Sequence, residues 1–144
     1  MEGKYMEITA VALQTVEANQ NALFTDTVVC GSNSIIHRDG SGLVSLRGLT
    51  NQCRARFRVF FSGNIAIPTG GTVEPISVAI GVNGEAVAST IATQTPAAVE
   101  QFANVASAIF LDVPAGCCSQ ISVKNTSTQA IEIQNLNMII ERIA

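Results

Sequence analysis

The closing segment, Ala130-Ile-Glu-Ile-Gln-Asn-Leu-Asn-Met-Ile-Ile-Glu-Arg-Ile-Ala144, constrains the fold more than any other stretch. Ile131-Glu-Ile-Gln134 alternates apolar and polar with the period of two that a strand with one buried face requires. The alternation then fails. Leu136, Met138 and Ile140 fall on one face and Ile139 and Ile143 on the other, so a core on one side leaves apolar side chains on the second. Such a strand either runs through the middle of a two-layer core or has its second face covered by another copy of the chain.

The rest of the sequence narrows the choice. At 144 residues the chain suits one domain. Charged residues make up only 13% and the mean hydropathy is +0.34, leaving few charges to cover a small domain, so a partner is expected to cover part of the apolar surface. A net charge of −3 argues against nucleic acid as a partner, because that binding needs a basic face to displace counterions. No apolar run is long enough to span a bilayer, and Met1-Glu-Gly-Lys-Tyr-Met-Glu7 lacks the pattern of a secretory signal, so no membrane partner and a cytoplasmic site of synthesis are expected.

Strand-like runs recur along the chain, separated by Gly, Asn, Pro, Ser and Thr. Tyr5 to Val16 favours extended structure through Ile8, Val11, Val16 and its threonines. Asp26 to Cys30 and Ser34 to Arg38 read as short strands around Gly31-Ser-Asn33. Asp39-Gly-Ser-Gly42 turns into Leu43 to Arg47 and lacks the further acidic oxygens of a calcium loop. Cys53 to Phe61 alternates most clearly, with Ala55, Phe57, Val59 and Phe61 on one face and Arg54, Arg56 and Arg58 on the other. Ile76 to Val82 and Glu85 to Ser89 flank Asn83-Gly84, the strongest short signal for a hairpin. Phe102 to Val113 reads as a long strand stopped at Pro114, and Gln120 to Lys124 pairs with the terminal strand through the turn Asn125 to Gln129. About ten strands in a chain of this size predict two packed antiparallel sheets, an all-β jelly roll.

The strand order, the hairpin Val82-Asn-Gly-Glu-Ala-Val87 and the ending Met138-Ile-Ile-Glu-Arg-Ile-Ala144 together resemble the globular C-terminal domain of the collagen-like exosporium glycoprotein of bacterial spores, a member of the tumour-necrosis-factor/complement-like jelly rolls. The resemblance spans roughly residues 16–144, leaving 1–15 as an N-terminal arm or first strand. It implies a ten-strand jelly roll that forms a compact homotrimer, with the last strand central in the inner sheet near the threefold axis, and a family that scaffolds and binds without catalysing. The Gly-x-y repeats that precede the spore domain do not occur in these 144 residues, so no collagen stalk is expected. Stand-alone jelly rolls of this kind also resemble small trimeric proteins on the heads or fibres of tailed bacteriophages.

The residues offer little for chemistry. A single histidine, His37, and the absence of nucleophile-elbow, P-loop or zincin patterns predict no active site, and His37 with Asp39 reads as a solvated pair at a hairpin. Cys30, Cys53, Cys117 and Cys118 lack metal-ligand spacing, so no metal or cofactor is expected, and in a reducing compartment they read as packing residues. The topology implied by the resemblance also brings Cys53 near Cys117, where a disulfide is the alternative. The arginine row admits a solvated face, an anion contact or an assembly interface; in the family arrangement its strand lies beside the last one, offering Glu132 and Glu141 as partners within or across subunits. The expectation is a virion head decoration protein binding a major capsid protein, with Arg54, Arg56, Arg58, Glu132, Ile139, Glu141 and Ile143 at the trimer interface. Met1, Glu2, Gly3, Lys4 and Tyr5 are the expected docking arm. A glycan- or receptor-binding fibre tip and a spore or cell-surface protein are the alternatives.

Overall fold

The structure, a computed structural model, describes residues 5–29, 34–48, 54–114 and 118–143. The first sheet holds β1 (Tyr5–Ala10), β2 (Gln14–Val16), β3 (Asp26–Val29), β6 (Arg54–Ala66), β10 (Ala103–Pro114) and β12 (Ile131–Arg142). Its order is β10-β6-β12-β1-β3, with β2 also paired to β12. The second sheet holds β4 (Ile35–His37), β5 (Val44–Arg47), β7 (Ile76–Val82), β8 (Glu85–Ala86), β9 (Ala92–Gln94) and β11 (Cys118–Asn125), in the order β4-β5-β11-β7-β8 with β9 on β7. All of these pairings are antiparallel, and the strand order within each sheet is not the chain order. Two facing sheets with long crossovers form the expected jelly roll.

The alternating residues of β6 explain the packing. Phe57, Val59, Phe61 and Ile65 are fully buried against Val44, Leu46, Ile76, Ile80 and Ile121 of the opposite sheet. Burying side chains of this size contributes about 1.5–3 kcal/mol each. Asn83 and Gly84, with φ of +53° and +89°, make the expected two-residue hairpin between β7 and β8, where both central residues need positive φ.

The terminal strand resolves its conflict by a bulge. Gln134 pairs with Asn64 and Asn137 with Ser62, so Asn135 and Leu136 together oppose Gly63. Asn135 takes φ +52°, a conformation asparagine tolerates better than most residues, and its N–H donates to the Val11 carbonyl at 3.1 Å. The extra residue shifts the side-chain phase by one. Ile131 and Ile133 before it and Leu136, Met138 and Ile140 after it consequently all point into one core. Gly63 leaves room for the bulge, since a Cβ there would stand 3.0 Å from Leu136 Cδ1.

β1 is integral to this sheet. It runs in register beside β12 from Tyr5↔Glu141 to Ala10↔Leu136, and Met6, Ile8 and Ala10 are buried. β1 therefore belongs to the jelly roll, as the first-strand alternative for residues 1–15 has it, and the free-arm reading does not apply to Tyr5–Ala10; Met1–Lys4 lie outside the described residues.

Candidate assembly face

The outward side of the first sheet is built by the residues that alternate with the core. Register aligns them in rows across the sheet. Ala108, Phe60, Ile139, Glu7 and Val29 form one row, and Phe110, Arg58, Glu141 and Tyr5 the next. Asp112 and Arg56 follow, with Ile143 extending the edge through its N–H donated to the Arg56 carbonyl at 2.8 Å. Phe110 is 66% exposed, Tyr5 52%, Ile143 42% and Ile139 37%, so large apolar side chains stand in water on one outward face of the sheet. A concavity of about 330 Å³ opens among Arg56, Phe110, Asp112 and Ile143. Exposed apolar side chains grouped around charged pairs on one face make this the candidate interaction surface.

Two of its arginines are neutralised inside the protomer, while the Glu7 carboxylate accepts from the Asn137 side-chain amide. Arg56 makes a two-pronged contact with Asp112, Nε to Oδ1 at 2.8 Å and Nη2 to Oδ2 at 3.2 Å. That hydrogen bond, and then the carboxylate's charge, hold the guanidinium more firmly protonated than usual. Arg58 meets Glu141 at 3.0 Å. The pairing with Glu141 is the expected one, whereas Arg56 turns to β10 and not to the terminal strand. Asp112 was legible only as a residue near the end of a strand; its partnership depends on β10 lying beside β6. Of Arg54 only the backbone is described, paired with Pro114.

Glu132 does not join the arginines. It sits opposite Ala66 and Thr15, toward the other end of the same face. Its Oε1 is buried without a hydrogen-bond partner, and burial, followed by the hydrogen bond and charge of Glu100, pushes its carboxyl above the ordinary range. Glu100 Oε2 accepts from the backbone N–H and hydroxyl of Thr69 at 3.2 and 3.1 Å. Among the described residues no arginine pairs with Glu132, which the bulge and sheet register set rows away from Arg58.

His37 is not solvated. Its ring is fully buried, edge-on to Phe24, with Nε2 3.0 Å from the Ser41 carbonyl and Nδ1 3.2 Å from Thr27 Oγ1. Thr27 donates to Asp39 at 2.7 Å, so the hydroxyl lies between the ring and the carboxylate. A nucleophile's base must lie between the hydroxyl and its orienting acid, and this order is the reverse. The group latches β3 of one sheet to the end of β4 in the other. Among the described residues no three His, Cys, Asp or Glu side chains are placed to hold a metal. Cys118 is exposed at the start of β11; Cys30, Cys53 and Cys117, and with them the disulfide alternative, lie outside the described residues.

No family model and no curated protein matches the sequence. Solved structures match across nearly the whole chain. Eiger TNF from S. frugiperda superposes with a TM-score of 0.73 at 11% identity, covering 100% of this chain and 94% of that one. Murine APRIL at pH 5.0 gives 0.66 at 9% identity, covering 95% and 97%. The globular domain of the zebrafish complement 1qA protein gives 0.56 at 7%, covering 94% of each. At these identities the likeness is one of fold: the chain is a tumour-necrosis-factor/complement-like jelly roll.

Proposed function

We propose that this chain is a non-enzymatic structural protein that works as a homotrimer, joined through the outward face of the first sheet. The exposed side chains of Phe110, Ile139, Ile143 and Tyr5, spread over adjacent rows around ion pairs already closed within the protomer, carry this reading. Apolar side chains supply the driving force for association, and neutralised arginines lower the desolvation cost of bringing like faces together. Three copies about one axis are what the sequence resemblance implies for this fold. In its most specific form the proposal is a decoration protein on a bacteriophage head, assembled in the host cytoplasm, with the major capsid protein as partner. Three equal contacts at a local threefold position would then add avidity. Docking narrows to Met1–Lys4, since Tyr5 onward is sheet.

Light scattering after size exclusion tests the assembly: three times the 15.1 kDa protomer mass is expected, and a protomer mass at micromolar concentration refutes it. Adjacent genes test the capsid reading, for which a major capsid gene is the supporting neighbour and a tail-fibre or sporulation cluster the refuting one.

A further inference from the structure

The solvent face of the second sheet carries a groove of about 340 Å³ among Ile36, Arg38, Ser41, Leu43, Ser45 and Gln120. We infer that this groove binds an acidic pyranose, a sugar carrying a carboxylate such as a uronic or sialic acid. Ile36, Ser45 and Gln120 line up across β4, β5 and β11 in one outward row, and Arg38 follows Ile36 on the same side of the chain. Strand alternation thus separates Arg38 from His37, which turns into the core, and Asp39 is drawn away by Thr27 at 2.7 Å. No carboxylate among the described residues pairs with Arg38, so its fork of donors is open to a planar carboxylate.

The remaining lining matches a sugar ring. The Ser45 hydroxyl and the Gln120 side-chain amide supply donors and acceptors suited to ring hydroxyls. Ser41 Oγ accepts the Leu43 N–H at 3.0 Å, which pins the loop that forms one wall. Ile36 and Leu43, 44% and 38% exposed, give aliphatic surfaces for the C–H faces of the ring. The volume lies near the lower bound of ligand pockets, about 300 Å³, as suits a single sugar. Because the groove is on the sheet opposite the assembly face, binding there does not depend on self-association.

The test is titration of the full chain with glucuronic acid and N-acetylneuraminic acid, read by amide chemical shifts in NMR, with glucose and inorganic phosphate as comparators. Saturable shifts confined to the groove are expected for at least one acidic sugar. Arg38→Gln should weaken binding at least tenfold, and Gln120→Glu, which introduces an anion without touching Arg38, should do the same. Both side chains are exposed, so unchanged melting temperatures are expected and certify the fold. No saturable shift with either acidic sugar, equal binding of glucose, phosphate binding as tight as the sugar acids, or retained affinity in Arg38→Gln would each overturn the inference.

Discussion

Deleting Asn135 is the perturbation that strikes most directly at the logic of the terminal strand. Without the extra residue, one half of β12 must change faces relative to the other. If the C-terminal half keeps its register, Ile131 and Ile133 turn outward and Glu132 and Gln134 turn into the core. If the N-terminal half keeps it, Leu136, Met138 and Ile140 turn outward instead. All five apolar residues are no more than 2% exposed, and each contributes about 1.5–3 kcal/mol by its burial. The less costly slip thus loses roughly 3–6 kcal/mol before the expense of burying two polar side chains, against a total stability of about 5–15 kcal/mol for a domain. Urea unfolding followed by far-ultraviolet circular dichroism, at one fixed protomer concentration because assembly adds to apparent stability, measures the loss. Asn135→Gly keeps the positive φ available and is expected to stay within about 0.5 kcal/mol, whereas Asn135→Val forces a β-branched residue into it and should lose about 1–2 kcal/mol. A deletion variant that loses less than about 1 kcal/mol would refute the argument that the bulge sets the phase.

Ile139→Asp and Phe110→Asp should each reduce the particle to protomers in sedimentation velocity while leaving the far-ultraviolet spectrum unchanged, because both side chains point away from the core; a particle that keeps its mass in both variants would refute the assembly face. Glu132 holds its proton more readily in the folded state than in the unfolded one. Its contribution is therefore full below the ordinary carboxylate pKa of about 4.3 and is lost as pH rises through the higher folded value. Glu132→Gln should flatten that part of the pH–stability profile and raise the melting temperature at pH 7 by about 1–3 °C, and an unchanged slope would count against the Glu100–Glu132 contact. Asn125, fully buried, donates to the Val16 and Gln129 carbonyls at 2.9 and 3.0 Å and accepts the Ser127 N–H at 2.8 Å. Asn125→Ala orphans those groups and should cost about 2–4 kcal/mol in chemical unfolding.

What the sequence determined by itself was local. Alternation at Ala55 to Phe61 was enough to place β6 and its buried face, Asn83-Gly84 to place a hairpin, and the apolar residues of both parities near the end to mark a strand needing two apolar surroundings. These signals survive in one dimension because side-chain direction in a strand repeats every two residues and a type I′ turn restricts its own two residues. That Ile139 and Ile143 lie on the face opposite Leu136, Met138 and Ile140 was therefore legible before any contact was known.

Tertiary structure decided everything that depends on which strands lie side by side. Arg56 finds Asp112 because β10 borders β6, and Glu132 finds Glu100 because a segment far along the chain returns over the end of the sheet. The histidine that reads as a solvated hairpin residue is buried because β3 and β4 belong to different sheets that meet at Thr27. The bulge left one trace in the sequence, the break of phase between Ile133 and Leu136 around an asparagine, but that trace is equally compatible with a strand buried on both faces. Only pairing against Gly63 separates the two, since a two-against-one register is a property of two strands and not of either alone.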